Sequence, residues 1–189
     1  MPLTNVQLIE AAEMAARLHA GQTRKAPAAE PYINHVLEVT HLLAQATGGD
    51  DPVLLAGALL HDVLEDAPET EAEYLVLARL IETRFGTPVL ALVEEVSDDK
   101  GRTQGERKRH QIEAAPHMST RARLLKIADK TSNLRDINDG PPPGWDADRL
   151  ADYVDWAKQV VDGCRGLNPA LEAAFDEAYG ISVGLYGTL

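Results

Sequence analysis

The chain has 189 residues, enough for one domain with a sizeable core, and its formal charge of −12 argues against a general nucleic-acid binder, which is more often basic. Aromatic residues are scarce at 5% while Ala and Leu are plentiful, a balance that favours helix. No window has the length and apolarity of a membrane span, no signal peptide opens the chain, and a single cysteine, Cys164, excludes an internal disulfide framework, so a cytoplasmic protein with no membrane partner is expected.

Thr4 and Gln7 have the spacing of a capping box, and the apolar residues that follow predict a first helix over 4–19, stopped by Gly21, with His19 at its surface. A polar loop then carries Arg24, Lys25, Pro27 and Pro31. It closes on PYINH at 31–35, where Asn34 is the expected cap and His35 falls in the first turn of a second helix running to Gly48. Asp51-Pro52 opens a third helix, which runs through the apolar stretch beginning at Leu54 into LLHDVLED at 59–66 and is terminated by Pro68. Helices over 69–85 and 88–96 follow, then a turn at 97–101.

A polar, basic segment over 106–114 is helical up to Pro116. Ser119 or Thr120 caps the next helix, whose buried stripe includes Leu124, Leu125, Ile127, Leu134 and Ile137. The loop GPPPG spans 140–144, a helix resumes over 146–161, and Asn168-Pro169 opens a last helix to about Tyr179. Alternation of period two is almost absent. The expected fold is therefore all-α, with nine or ten helices, a domain over 1–180 and a loose tail over 181–189.

LLHDVLED puts His61, Asp62, Glu65 and Asp66 into one short stretch directly after a leucine-rich run. On a continuous helix His61 lies over Glu65 and Asp62 over Asp66. Three carboxylates so close repel one another, and a metal cation makes such a cluster tolerable. Solvated acids at a helix end are the simpler alternative, but these interrupt a core-facing run, where unpaired charge is costly. Asp129 poses the same problem on the later helix, with Asn133 one turn on and Lys126 and Lys130 beside them. Between Lys100 and Arg135 stand ten of the eighteen basic residues and only three acids, which makes either a solvated basic surface or a receptor for a small polyanion.

The order of these residues matters. His35 follows a basic loop, His61-Asp62 comes 26 residues later, and Asp129 comes 67 beyond Asp62. This pattern resembles the HD superfamily of metal-dependent phosphohydrolases. RK…PYINH, HDVLED, EEVSDDK and KIADKTSNLRD look like the hydrolase domain of RelA/SpoT proteins, and ERKRHQ, PPPGW and DYVDWAKQVV extend the likeness to the stand-alone, metazoan SpoT homologue type, over roughly residues 11–179.

The resemblance implies a compact HD-domain fold and hydrolysis of the 3′-pyrophosphate of guanosine tetra- and pentaphosphate, the alarmones, with manganese (Mn2+) as cofactor and iron as the alternative. It implies His35, His61, Asp62 and Asp129 as metal ligands and Glu65 and Asp66 as the catalytic acidic pair. Arg24 and Lys25 match a basic pair facing the nucleotide, and Asn133 and Tyr153 match further substrate contacts. Ala67 stands where family members carry Thr, which removes a hydroxyl beside the acidic pair. Gln104 lies near a Lys of the stand-alone type, so one phosphate contact is expected to be missing. Synthesis of the alarmones is not expected.

Nitrogen and hard oxygen donors suit manganese or iron better than a thiophilic metal. A metal so held activates water and polarises a phosphoryl group, with Glu65 or Asp66 orienting or deprotonating the water. Two other readings stand beside the alarmone hydrolase. One is a phosphatase acting on the 2′-phosphate of NADPH or on another nucleotide. The other is a metal-containing domain that senses a nucleotide without turning it over, which the intact acidic pair disfavours. His41, His110 and His117 are expected at the surface and Cys164 in packing. The sequence leaves the number of copies open, a homo-oligomer included.

Overall fold

The protein is described by a computed structural model covering residues 3–25 and 27–187. Among these residues there are ten α-helices, one 3-10 turn and no strand; the only extended pairing is a bridge between Thr23 and Pro31. The helices fall into two compact units. One comprises the residues up to Gln22 together with Tyr32–Arg102, and the other comprises Thr23–Pro31 together with the chain from Thr103 onward.

The first unit is built around α3 (Pro52–Leu60). Asp51 caps it by accepting from the Leu54 N–H at 3.1 Å, Pro52 supplies the fixed φ of a first turn, and every residue from Leu54 to Leu60 is buried. It packs on α1 (Asn5–Leu18), α2 (Ile33–Thr47) and α6 (Thr87–Val96), while α5 (Glu71–Phe85) packs on α6. Each of its four leucines contributes about 1.5–3 kcal/mol by leaving water. At Gly57 α3 and α6 come close: a side-chain carbon there would fall well inside van der Waals contact of the Leu92 side chain. The close approach holds the end of α3, and hence His61, in a fixed place.

The stretch 59–66 is not one continuous helix, as its sequence suggests. α3 ends at Leu60, and a single further turn, α4 (Val63–Asp66), starts after His61 and Asp62. Asp62 is the N-cap of that turn, with φ −97° and ψ −5°, yet its side chain makes no capping bond. Its carboxylate faces Tyr32 and His61 instead, so the local preference of Asp for capping yields to a tertiary demand.

The second unit is built around α8 (Thr120–Asp139), packed against α9 (Ala147–Cys164) and α10 (Pro169–Tyr186); α7 (Gln104–Ala114) and a 3-10 turn (Ala115–His117) pack on α9. Ser119, Asp146 and Asn168 cap α8, α9 and α10. Lys126, Asp129 and Lys130 are all buried on α8, so this part of the basic stretch is not a solvated surface.

Three local expectations are corrected. The last helix does not give way to a loose tail at Gly180 but continues to Tyr186. Ser182 is fully buried and donates to Asn138 Oδ1 at 2.8 Å, and the Tyr186 hydroxyl donates to the Ile137 carbonyl. Residues 188 and 189 of the expected tail lie outside the described residues. His19 is buried rather than at the surface, its ring beside Tyr32 and its Nδ1 2.7 Å from Gln22 Oε1. Asn34 is exposed and lies inside α2, whose N-cap is Tyr32.

Candidate functional site

In the first unit the side chains of His35, His61 and Asp62 meet. The ring centroids of His35 and His61 are 5.4 Å apart, and their coordinating nitrogens lie within 4.8 Å of each other. Asp62 Oδ2 is 2.9 Å from His61 Nε2 and 3.7 Å from His35 Nε2, and it accepts from the Tyr32 hydroxyl at 2.7 Å. Both imidazoles are buried. His61 Nδ1 is 2.7 Å from the Ala58 carbonyl, which can only accept, so Nδ1 carries a proton and Nε2 is the nitrogen turned to the carboxylate. A histidine whose other nitrogen donates to a carbonyl is the usual form of a metal-ligating histidine. The residues fit a divalent metal.

The acidic pair stands one turn further on. Glu65 is half-buried, and its Oε2 accepts from the Asp98 N–H at 3.1 Å; exposed Asp66 accepts from Gln22 Nε2 at 2.7 Å. Two nearly opposite environments thus hold two neighbouring carboxylates.

In the second unit Asp129, Asn133 and Asp136 follow at spacings of four and three, on one face of α8. Asn133 Nδ2 donates to Asp129 Oδ1 at 2.7 Å, and Asn133 Oδ1 accepts from Arg24 at 3.0 Å. Arg24 also pairs with Asp136 at 3.1 Å. Tyr153 lies nearby, its ring 5.3 Å from those of Trp145 and Trp156. Burial pushes its phenol above the ordinary value, with Lys130 opposing, so it is a proton donor at neutral pH. Lys25 is exposed.

Residues 11–154 match the HD domain family. The chain belongs to that family. Its membership implies a divalent metal, in keeping with the histidine and carboxylate donors. Among relatives of this HD-domain chain, the mouse guanosine-3′,5′-bis(diphosphate) 3′-pyrophosphohydrolase MESH1 is 47% identical over 173 residues, 92% of this chain and 93% of the mouse protein. The bifunctional (p)ppGpp synthase/hydrolase SpoT of Escherichia coli is 37% identical over 145 residues, 72% of this chain but 19% of SpoT. A solved structure of a metazoan SpoT orthologue that hydrolyses ppGpp superposes with a TM-score of 0.86 at 41% identity, covering 95% of this chain and 97% of the other.

Within each unit, then, the expected residues fall together: His35, His61, Asp62, Glu65 and Asp66 in the first, Arg24, Asp129, Asn133 and Tyr153 in the second. Tyr32, Gln22, Asp136 and Trp156 were not expected as parts of these groups, whereas Lys130 was expected beside Asp129. Asp136 was within reach, because its spacing from Asn133 and Asp129 sets it on their face. Gln22 carries no local signal.

Among the described residues no helix is long and apolar enough to cross a membrane.

Proposed function

We infer that this HD-domain protein is a guanosine-3′,5′-bis(diphosphate) 3′-pyrophosphohydrolase, converting ppGpp to GDP and pyrophosphate. The observation that carries the reading is the 47% identity across 92% of the chain with an enzyme named for that reaction, with the histidines, aspartates and acidic pair of the likeness present and Ala67 its departure beside them. The substrate is a guanine nucleotide.

His35, His61 and Asp62 would hold the metal, with Asp129 as the further oxygen ligand that the family likeness implies. Manganese suits the two nitrogens and two hard oxygens. When bound, such a metal lowers the pKa of a water and polarises a phosphoryl oxygen. Glu65 is the residue to take the proton of the attacking water: it is half-buried and tethered by the Asp98 amide, so its position is set before substrate arrives. Asp66, exposed and tied to Gln22, orients the water and meets solvent for proton return. Arg24 and Lys25 bring positive charge to the phosphates, Arg24 as a planar fork already fixed by Asn133 and Asp136. Asn133 and Tyr153 offer an amide and a phenol to the nucleoside. The reading carries a cytoplasmic location.

The test is product analysis of ppGpp incubated with manganese-loaded protein, with NADPH in a parallel reaction. GDP and pyrophosphate in equal amounts, abolished by chelation, are expected. Orthophosphate from NADPH with no turnover of ppGpp would move the substrate to the 2′-phosphate, and turnover of neither would leave a nucleotide sensor.

A further inference from the structure

Asp129 is gripped at both carboxylate oxygens. Asn133 Nδ2 donates to Oδ1 at 2.7 Å, and Lys130 Nζ donates to Oδ2 at 2.9 Å. The second grip is unusual, because neighbours in a helix point in different directions. Lys130 must fold its side chain back along α8 to reach Asp129. What holds it there is the indole of Trp156 on α9: the ammonium lies 4.3 Å from the ring centroid. Trp156 is anchored in turn, its Nε1–H donating to the Lys108 carbonyl on α7 at 3.1 Å. Lys130 is 4% exposed, and burying an ammonium is costly unless it is paired.

The two arms differ in what stands behind them. The Asn133 arm leads to Arg24, which the family likeness turns toward the nucleotide. The Lys130 arm runs through Trp156 to the backbone of α7. We propose that Lys130, braced on Trp156, is a positioning residue that fixes the Asp129 carboxylate for metal binding. The proposal rests on reading Asp129 as a metal ligand. A carboxylate with two oxygens already oriented keeps other lone pairs for a metal and loses no freedom on accepting it. The signature of Lys130 is therefore metal affinity, not nucleotide affinity.

The test measures Mn2+ binding to metal-free protein by the electron paramagnetic resonance of free Mn2+, with no nucleotide present. Lys130→Met is expected to weaken binding about 10–100-fold, as loss of a partner behind a metal ligand does, and Lys130→Arg, which keeps the charge, to weaken it less than Lys130→Met does. Raising Mn2+ should restore ppGpp hydrolysis by Lys130→Met with KM for ppGpp unchanged. Unaltered Mn2+ affinity in Lys130→Met, or a rise confined to KM for ppGpp, would overturn the proposal. Should Lys130→Met fail to fold, Trp156→Leu decides instead: several-fold weaker Mn2+ binding supports the brace, and unaltered binding refutes it. Lys130-dependent Mn2+ binding in a protein that leaves ppGpp intact would sink the proposed function while leaving this inference standing.

Discussion

The backbone N–H of Asp98 donates to Glu65 Oε2 at 3.1 Å, so the turn after α6 reaches back to the acid one turn beyond the His-Asp pair. Glu65 cannot swing freely, and its remaining oxygen is aimed by that bond. Asp66 accepts instead from the side chain of Gln22. A fixed acid beside an adjustable one divides the labour of a proton transfer.

Glu65→Gln keeps the shape and the Asp98 bond but removes the base. We expect kcat for ppGpp to fall by about 10²–10⁴-fold, the usual worth of a positioned general base, with bound manganese unchanged. Metal analysis beside steady-state kinetics checks this. Loss of metal together with activity would show that Glu65 serves the metal rather than the water.

Tyr32→Phe removes the hydroxyl that Asp62 Oδ2 accepts from. The carboxylate then has one fewer donor fixing its direction, and metal affinity should drop about tenfold. His61→Ala, which deletes a ligand outright, should drop it by more than about 100-fold, beyond the range for a supporting residue. Titration of metal-free protein with Mn2+, followed calorimetrically, ranks the two variants.

Gly57→Ala puts a methyl group where the Leu92 side chain already lies. Overpacking of this kind costs about 1–3 kcal/mol, and the Leu92 side chain or α3 must shift to relieve it. Urea unfolding should show the loss, and activity per folded molecule should fall as well, because α3 ends one residue before His61.

Cys164 is fully buried, and burial pushes its thiol up to about 11, against an ordinary value of 9.0. Native protein at pH 8 should react with thiol reagents far more slowly than urea-unfolded protein. A raised acid works against the native state in alkali. Below pH 9 both states keep the proton and stability is unaffected; from about pH 9 to 11 the unfolded chain ionises first, so stability falls. Replacing Cys164 by Ala should remove that part of the alkaline loss, read as a smaller change in urea midpoint between pH 8 and pH 10.

The helices were legible because their ends carry caps that act locally: Thr4, Asp51, Ser119 and Asn168 each do what their sequence context implies. The candidate ligands were legible because chemistry sets their type and the family likeness sets their order. What escaped was decided by distant partners. The break at His61-Asp62 follows from a carboxylate turned toward Tyr32, thirty residues earlier. The persistence of α10 past Gly180 follows from Ser182 and Tyr186 bonding to α8. His19 is buried because Tyr32 and Gln22 close over it, and no periodicity within α1 reports that.

The segment Thr23–Pro31 belongs with the second unit, although the residues on both sides of it belong with the first. The polypeptide therefore leaves and rejoins the first unit before it is half made. A gene divided after codon 102 would not yield two self-sufficient halves. Its downstream product would lack Arg24, the guanidinium that Asn133 and Asp136 hold, and its upstream product would carry a nine-residue insert with its companions on another molecule. During synthesis on a ribosome, Arg24 must wait for more than a hundred further residues before those companions exist.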